Sequence, residues 1–141
     1  MFIESVAAID WDDGPVTALV QVRETGPWLA FLLSATRGPR NRIHGMVPAS
    51  SAAATALNDA LAKANRGDDE IGQRFHCAIA ESLGPLVLLR GSCIPTGEVP
   101  NSVELSWTEF RGRVTFSPEV AFEAQRVDYW ADIFDAAEAE G

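Results

Sequence analysis

The chain consists of short apolar segments separated by Gly, Pro and Asp, and this spacing restricts its fold more than any other feature. Residues 16–24 alternate apolar and polar side chains, which is the period of a strand with one buried face. Residues 28–33 are apolar throughout, as expected of an interior strand covered on two sides. Turn-forming sequences at 12–15 and 26–27 precede these two segments. Together with residues 2–11, they predict an antiparallel meander.

Further segments extend the predicted sheet. Short apolar runs bounded by turn residues predict strands at 43–47, 71–81, 86–94, 103–110 and 114–117. One segment has a different period, since residues 50–66 repeat alanine and leucine at helical spacing. Ser50 or Ser51 can cap its first turn, and Gly67 can end its last turn. Residues 50–66 are therefore predicted to form a helix that approaches the sheet closely.

The segment 117–141 predicts a second helix. Ser117 suits the cap, Pro118 the first helical position and Glu119 the positive end of the helix dipole. Apolar and aromatic side chains cover more than half of the circumference, whereas the remaining arc is acidic. A helix that is apolar over so wide an arc is either buried between layers or shared with a partner chain.

These elements define the expected architecture. We expect an α+β fold in which a twisted antiparallel sheet of about six to eight strands packs against two helices. The C-terminal helix is predicted to be the longer one, and a half-open barrel wrapped around it is the variant of this fold. Residues 1–141 are expected to form a single domain, because 141 residues with 47% hydrophobic composition supply one core.

The charge balance restricts the classes of partner. The sequence has 20 acidic and 11 basic side chains, a net charge of −9, so it repels nucleic acid and anionic membranes at long range. No apolar run has the length of a membrane-spanning helix. The N-terminus lacks a signal-peptide pattern, and two cysteines are too few for a disulfide scaffold. We expect a cytoplasmic protein with reduced thiols that binds neither nucleic acid nor membrane.

The sequence contains no catalytic or cofactor motif. Phosphate-binding glycine loops, dinucleotide fingerprints and cysteine pairs at zinc spacing are all missing. His76 and Cys77 are adjacent, but on a predicted strand they point to opposite faces, which places Cys77 in the core and away from this base. Cys93 has no neighbouring base and is interpreted as an apolar filler. The sequence therefore predicts no cofactor, no metal and no catalytic residue.

Two acidic clusters, each with a tryptophan, are the predicted partner-binding residues. The predicted contacts are Asp10, Trp11, Asp12, Asp13, Asp128, Trp130, Asp132 and Asp135. Carboxylates attract a basic surface, and the amphipathic tryptophan ring anchors the contact. The spacing of the three carboxylates in the first cluster matches no complete metal-binding loop. We expect a non-enzymatic module of the inhibitor or immunity type that docks a basic surface of another protein.

Two other functions are compatible with the sequence. The basic side chains Arg37, Arg40, Arg42 and His44 could bind an anion, as in a small enzyme or a ligand-binding domain. Alternatively, the wide apolar arc of the terminal helix could be buried between copies of the chain, which would make the protein a structural homo-oligomer.

Overall fold

The fold is taken from a computed structural model, which describes residues 1–34, 42–64, 70–99 and 102–108. The strands in these residues are β1 (Phe2–Trp11), β2 (Pro15–Val22), β3 (Gly26–Ser34), β4 (Arg42–Pro48), β5 (Leu86–Gly91), β6 (Gly97–Glu98) and β7 (Val103–Leu105). The helices are α1 (Ser51–Ala64) and α2 (Glu70–Glu81), which lie between β4 and β5 along the chain. The seven strands form one antiparallel sheet in the order β6-β1-β2-β3-β4-β5-β7.

The sheet curls into a half-barrel, and both helices pack on the same face of it. This arrangement confirms the predicted α+β class, the antiparallel sheet and its half-barrel form. β1 to β4 pair with one another in chain order, which agrees with the turn residues between the first three segments. The helix predicted at 50–66 corresponds to α1, and its cap is the predicted one, since the Ala53 amide donates to Ser50 Oγ at 3.1 Å.

The prediction of a strand at 71–81 is wrong, because this segment forms α2. Phe75, Ala78 and Ile79 are buried, at the i, i+3 and i+4 spacing of a helix face. The segment also places apolar residues at alternate positions, so a period of two describes it nearly as well as a period of 3.6. As a consequence, Cys77 is exposed on α2 rather than buried in the core.

Other boundaries also differ from the predictions. The strand predicted at 86–94 ends at Gly91, and Cys93 is exposed beyond it. β6 lies in a Pro- and Gly-rich segment that the sequence favours as a loop, and it pairs with the start of β1. The strand predicted at 114–117 and the helix predicted from residue 117 lie outside the described residues. The prediction that the C-terminal helix is the longer one therefore stays a prediction.

The core lies on both faces of the sheet, because successive side chains of a strand point to opposite sides. The largest side chains on the helix-bearing face are Phe31, Leu57, Phe75, Ile79, Leu86, Leu88 and Trp107. Those on the other face include Ile3, Val20, Trp28, Met46 and Leu89. Gly45 lets the Phe31 ring lie against the backbone of β4, since a Cβ atom there would be only 2.8 Å from Phe31 Cε2.

The connection from α2 to β5 is fixed to the end of β4 by side chains. Ser82 Oγ donates a hydrogen bond to the Pro48 carbonyl at 2.7 Å, and Trp107 Nε1 donates to the Ser82 carbonyl at 2.8 Å. Gly84 lies directly over the Pro48 ring. These contacts hold the end of α2 against the sheet and so determine which face of α2 is buried.

Candidate protein-binding site

The turn between β1 and β2 has a backbone conformation that its residues are suited to adopt. Asp13 has a φ of 55° and Gly14 a φ of 148°, both in the region that L side chains rarely adopt. Glycine adopts such angles freely, and aspartate is among the few other residues found there with any frequency. The Asp12 amide donates to the Gly14 carbonyl at 2.9 Å and closes the turn. The Asp-Asp-Gly sequence therefore determines the shape of this turn locally.

The turn presents a tryptophan among carboxylates, and we call Asp10, Trp11, Asp12 and Asp13 the acidic tip. All four residues are exposed, and the Trp11 side chain is 68% exposed. In the part of the chain that the structure describes, Leu83 is the other large apolar residue with comparable exposure. Half of the predicted partner-binding set is thus brought together on one surface.

Arg42 and His44 of β4 support the acidic tip from below. The Arg42 side chain is 6% exposed, and its Nη2 donates to the Asp12 carbonyl at 2.5 Å. His44 is 1% exposed, and its Nε2 lies 2.7 Å from the Pro15 carbonyl. A carbonyl can only accept a hydrogen bond, so this ring nitrogen carries the proton. Both contacts hold the turn backbone and leave the carboxylates of the tip facing solvent.

Burial keeps His44 neutral. Removal from water lowers the pKa of His44 below its ordinary value, and the positive charge of Arg42 lowers it further. The hydrogen bond to the Pro15 carbonyl acts in the opposite direction but does not outweigh burial. Both the neutral imidazole with its proton on Nε2 and the imidazolium can donate to Pro15, so the hydrogen bond itself survives protonation. The dependence on pH comes from burial, which disfavours the charged ring.

The stability of the protein is expected to fall as the pH is lowered below 6.5. The unfolded chain protonates His44 at its ordinary pKa of 6.5, whereas the folded protein keeps it neutral to a lower pH. Unfolding then takes up a proton, so the free energy of unfolding decreases by up to about 1.4 kcal/mol per pH unit between 6.5 and the folded pKa. Urea unfolding at about pH 7.5 and about pH 5.5 measures this slope.

The matched variant for this test is His44→Gln, which keeps a side-chain N–H donor for Pro15 but cannot be protonated. Its slope should be clearly flatter than that of the wild type. His76→Gln serves as the comparison, because burial also lowers the pKa of the half-buried His76 while the Asp10 carboxylate raises it. An equal slope in the wild type and in His44→Gln would contradict the role of His44.

The acidic tip also has contacts on the helix-bearing face. Asp10 accepts a hydrogen bond from Thr17 Oγ1 at 2.8 Å, which fixes one carboxylate against β2. The same carboxylate raises the pKa of His76 on α2, so the end of β1 lies near this helix.

The Arg42 side chain has a buried Nε and Nη1 without a hydrogen-bond partner. Each buried donor without a partner costs about 1–3 kcal/mol.

The other predicted site residues either are buried or lie outside the described residues. Arg42 and His44 are buried under the acidic tip, and Arg37 and Arg40 lie outside the described residues, so the anion-binding cluster stays a prediction. The second predicted acidic cluster, Asp128, Trp130, Asp132 and Asp135, also lies outside them. No local sequence pattern predicts that Arg42 and His44 contact the first turn, because the contact depends on the curl of the sheet.

A groove of about 500 Å³ runs between α1 and α2. Alanines of α1, including Ala53 and Ala56, form one wall, and Arg74 and Cys77 of α2 contribute to the other. Both cysteines in the described residues are free thiols. Of the described residues that line the groove, none is a histidine.

Neither metal chemistry nor a known relative defines a function for the site. Within residues 1–34, 42–64, 70–99 and 102–108, no three His, Cys, Asp or Glu side chains converge to hold a metal ion. Neither described helix has the length and apolar character needed to cross a membrane. Comparison with family models, curated proteins and solved structures found no match for this chain.

Proposed function

We propose that this protein is a small acidic, non-enzymatic binding module that docks a basic surface of another protein. The observation that carries the proposal is the exposed Trp11, set among three carboxylates on a turn that buried side chains hold in place. An inhibitor or immunity-type role in the cytoplasm is the biological form of this proposal. The predicted acidic cluster around Trp130 would supply a second contact of the same chemistry.

The acidic tip combines two contributions to binding. Its carboxylates, within a chain of net charge −9, attract arginine- and lysine-rich surfaces and raise the association rate. The Trp11 ring then loses water on contact, and its face can receive a cationic side chain. Tryptophan is among the residues that most often dominate the binding energy of an interface.

The support under the tip reduces the cost of binding. Hydrogen bonds from Arg42 and His44 fix the carbonyls of Asp12 and Pro15, and the Asp12 amide is held by Gly14. A turn that is already ordered loses little conformational entropy when a partner docks.

Replacing Trp11 with alanine is expected to weaken binding of an oligoarginine peptide by about tenfold, because the apolar anchor is lost. The double variant Asp12→Asn with Asp13→Asn should weaken it as well and should reduce the dependence of affinity on salt. Asparagine keeps the shape of both side chains and tolerates the positive φ of Asp13. Isothermal titration calorimetry at two salt concentrations measures both effects.

The control for charge is the double variant Asp59→Asn with Glu104→Gln. It removes two exposed carboxylates that lie on α1 and β7, away from the acidic tip, and so changes the net charge by the same amount. If both double variants reduce the affinity equally, general charge rather than the acidic tip is responsible. That result, or full affinity in Trp11→Ala, would exclude the proposed site.

A further inference from the structure

Among the described residues, few pair with the outer edge of β1. β2 pairs with β1 from Ile3 to Trp11 on one side, whereas β6 pairs only with Phe2 and Ile3 on the other. From residue 4 to residue 11, no strand among the described residues lies on that outer side. Alternate residues of an edge strand direct their N–H and C=O groups outward, so this edge carries main-chain groups that another strand can bind.

The open edge contains one regular stretch of four residues. Ser5 to Ala8 pair in step with Gln21 to Ala18, and the register shifts just before and just after this stretch. Edge strands are commonly protected by lysine, proline or a bulge. The bulges here protect the ends of the edge, but Ser5, Val6, Ala7 and Ala8 include none of these protective residues. Ser5 and Ala8 are exposed and small, which lets another backbone approach closely.

The surroundings of this stretch are acidic. Glu4 lies on one side of it, and Asp10 and the rest of the acidic tip lie on the other. Arg23 follows β2, the strand that pairs with β1. Its Nε lies 3.0 Å from Glu4 Oε1, and its guanidinium group stacks on the Phe2 ring. A second copy of this chain would bring a second net charge of −9, with its own Glu4 and acidic tip, to the same edge, and these like charges repel. An added strand with cationic side chains is therefore favoured over self-pairing.

We propose that the partner contributes an extended, arginine- or lysine-containing segment, which adds to β1 as an extra strand along residues 5–8. This inference rests on the proposed function and specifies its binding mode. Main-chain hydrogen bonds to the edge supply affinity in this mode, and side chains at alternate positions supply specificity. Cationic residues beyond the paired stretch reach the acidic tip, so the edge and Trp11 form one continuous surface.

A short peptide that alternates arginine and valine tests the proposal. The control is the same peptide with N-methylated backbone amides, which keeps every side chain and charge but cannot donate strand hydrogen bonds. The unmodified peptide is expected to bind at least about tenfold more tightly than the methylated one. It should also slow amide hydrogen exchange in residues 5–8, measured by NMR on the full chain, without affecting α1.

Two variants of β1 test the same surface from the side of the protein. Ala8→Lys places a positive charge of the kind that protects natural edges and should weaken binding of the unmodified peptide by about tenfold. Ala8→Glu introduces a side chain nearly as long as that of Ala8→Lys but with a negative charge. This variant should therefore bind the unmodified peptide at least as tightly as the wild type does. Equal weakening in both variants would show that bulk, rather than strand addition by a cationic segment, determines the effect, and would overturn the proposal.

The outcomes separate this inference from the proposed function. If both peptides bind equally, and binding still depends on Trp11, Asp12 and Asp13, strand addition is overturned while docking through the acidic tip stands. If neither peptide binds the wild-type protein, both proposals are overturned. Preferential binding of the unmodified peptide with protection of residues 5–8 supports both.

Discussion

Replacing Phe31 with alanine is expected to lower the free energy of unfolding by about 3–5 kcal/mol. The Phe31 side chain is almost fully buried in the helix-side cluster, where it contacts Gly45 and packs on Trp107 with the ring centroids 6.4 Å apart. Truncation removes apolar contacts and leaves a cavity that the rigid β3–β4 pair cannot close. Urea unfolding followed by circular dichroism measures the change.

The control for this prediction is Phe31→Leu, which keeps most of the volume and should cost less than about 1.5 kcal/mol. The variant Gly45→Ala adds a second test, since its new methyl group would be 2.8 Å from the Phe31 ring. This methyl group should destabilise the wild-type protein and cost less when Phe31 is alanine, because only Leu86 Cδ1, at 3.0 Å, then stays close to it. Additive effects of the two changes would contradict the packing described here.

Two glycine-to-alanine changes are expected to shift the free energy of unfolding in opposite directions. A Cβ atom at Gly84 would be 2.2 Å from Pro48 Cγ, so alanine must displace the α2–β5 connection from a rigid ring, at a cost of about 1–3 kcal/mol. A Cβ atom at Gly72, within α2, would have no neighbouring atom within 4 Å. Alanine there should stabilise the protein by about 0.5–1 kcal/mol, since it favours the helix and restricts the unfolded chain.

The comparison works because the chemical change is the same at both positions and only the surroundings differ. Thermal and urea unfolding of the two variants beside the wild type give the difference directly. Destabilisation by Gly72→Ala would argue against the helical assignment of α2. A neutral Gly84→Ala would show that the end of α2 is not held against Pro48, and would weaken the account of how α2 is positioned.

The first strands and the first helix could be predicted from sequence because their signals are local. Alternation in residues 16–24 and the turn residues on either side define β2 and its hairpins without reference to the rest of the chain. The error at α2 has a physical origin as well. Phe75 and Ile79 have a spacing of four, which is compatible with both a period of 2 and one of 3.6, and no local residue distinguished them.

The candidate site likewise has one part that could be predicted from sequence and one part that only the structure shows. The sequence alone identified Asp10, Trp11, Asp12 and Asp13 as an acidic turn with a tryptophan, because turn chemistry and charge depend on neighbouring residues. In the alternative function, it also grouped Arg42 and His44 with Arg37 and Arg40 as anion ligands, which stays a prediction. The structure shows the Arg42 and His44 side chains under the turn, where they hold the Asp12 and Pro15 carbonyls.

The sequence thus determined the alternating strands, the first helix, the net charge and the exposed chemistry of the first turn. Only the tertiary structure decided that β4 supports this turn and that, in the described part of the chain, β6 pairs with the outer edge of β1 only at Phe2 and Ile3. β3 lies between β2 and β4. In a flat sheet, the backbones of β2 and β4, which carry Pro15 and His44, would therefore be two strand spacings apart, or roughly 10 Å. His44 reaches the Pro15 carbonyl because the sheet curls, and curl arises from the twist and packing of all the strands together. No local pattern in the sequence contains that information.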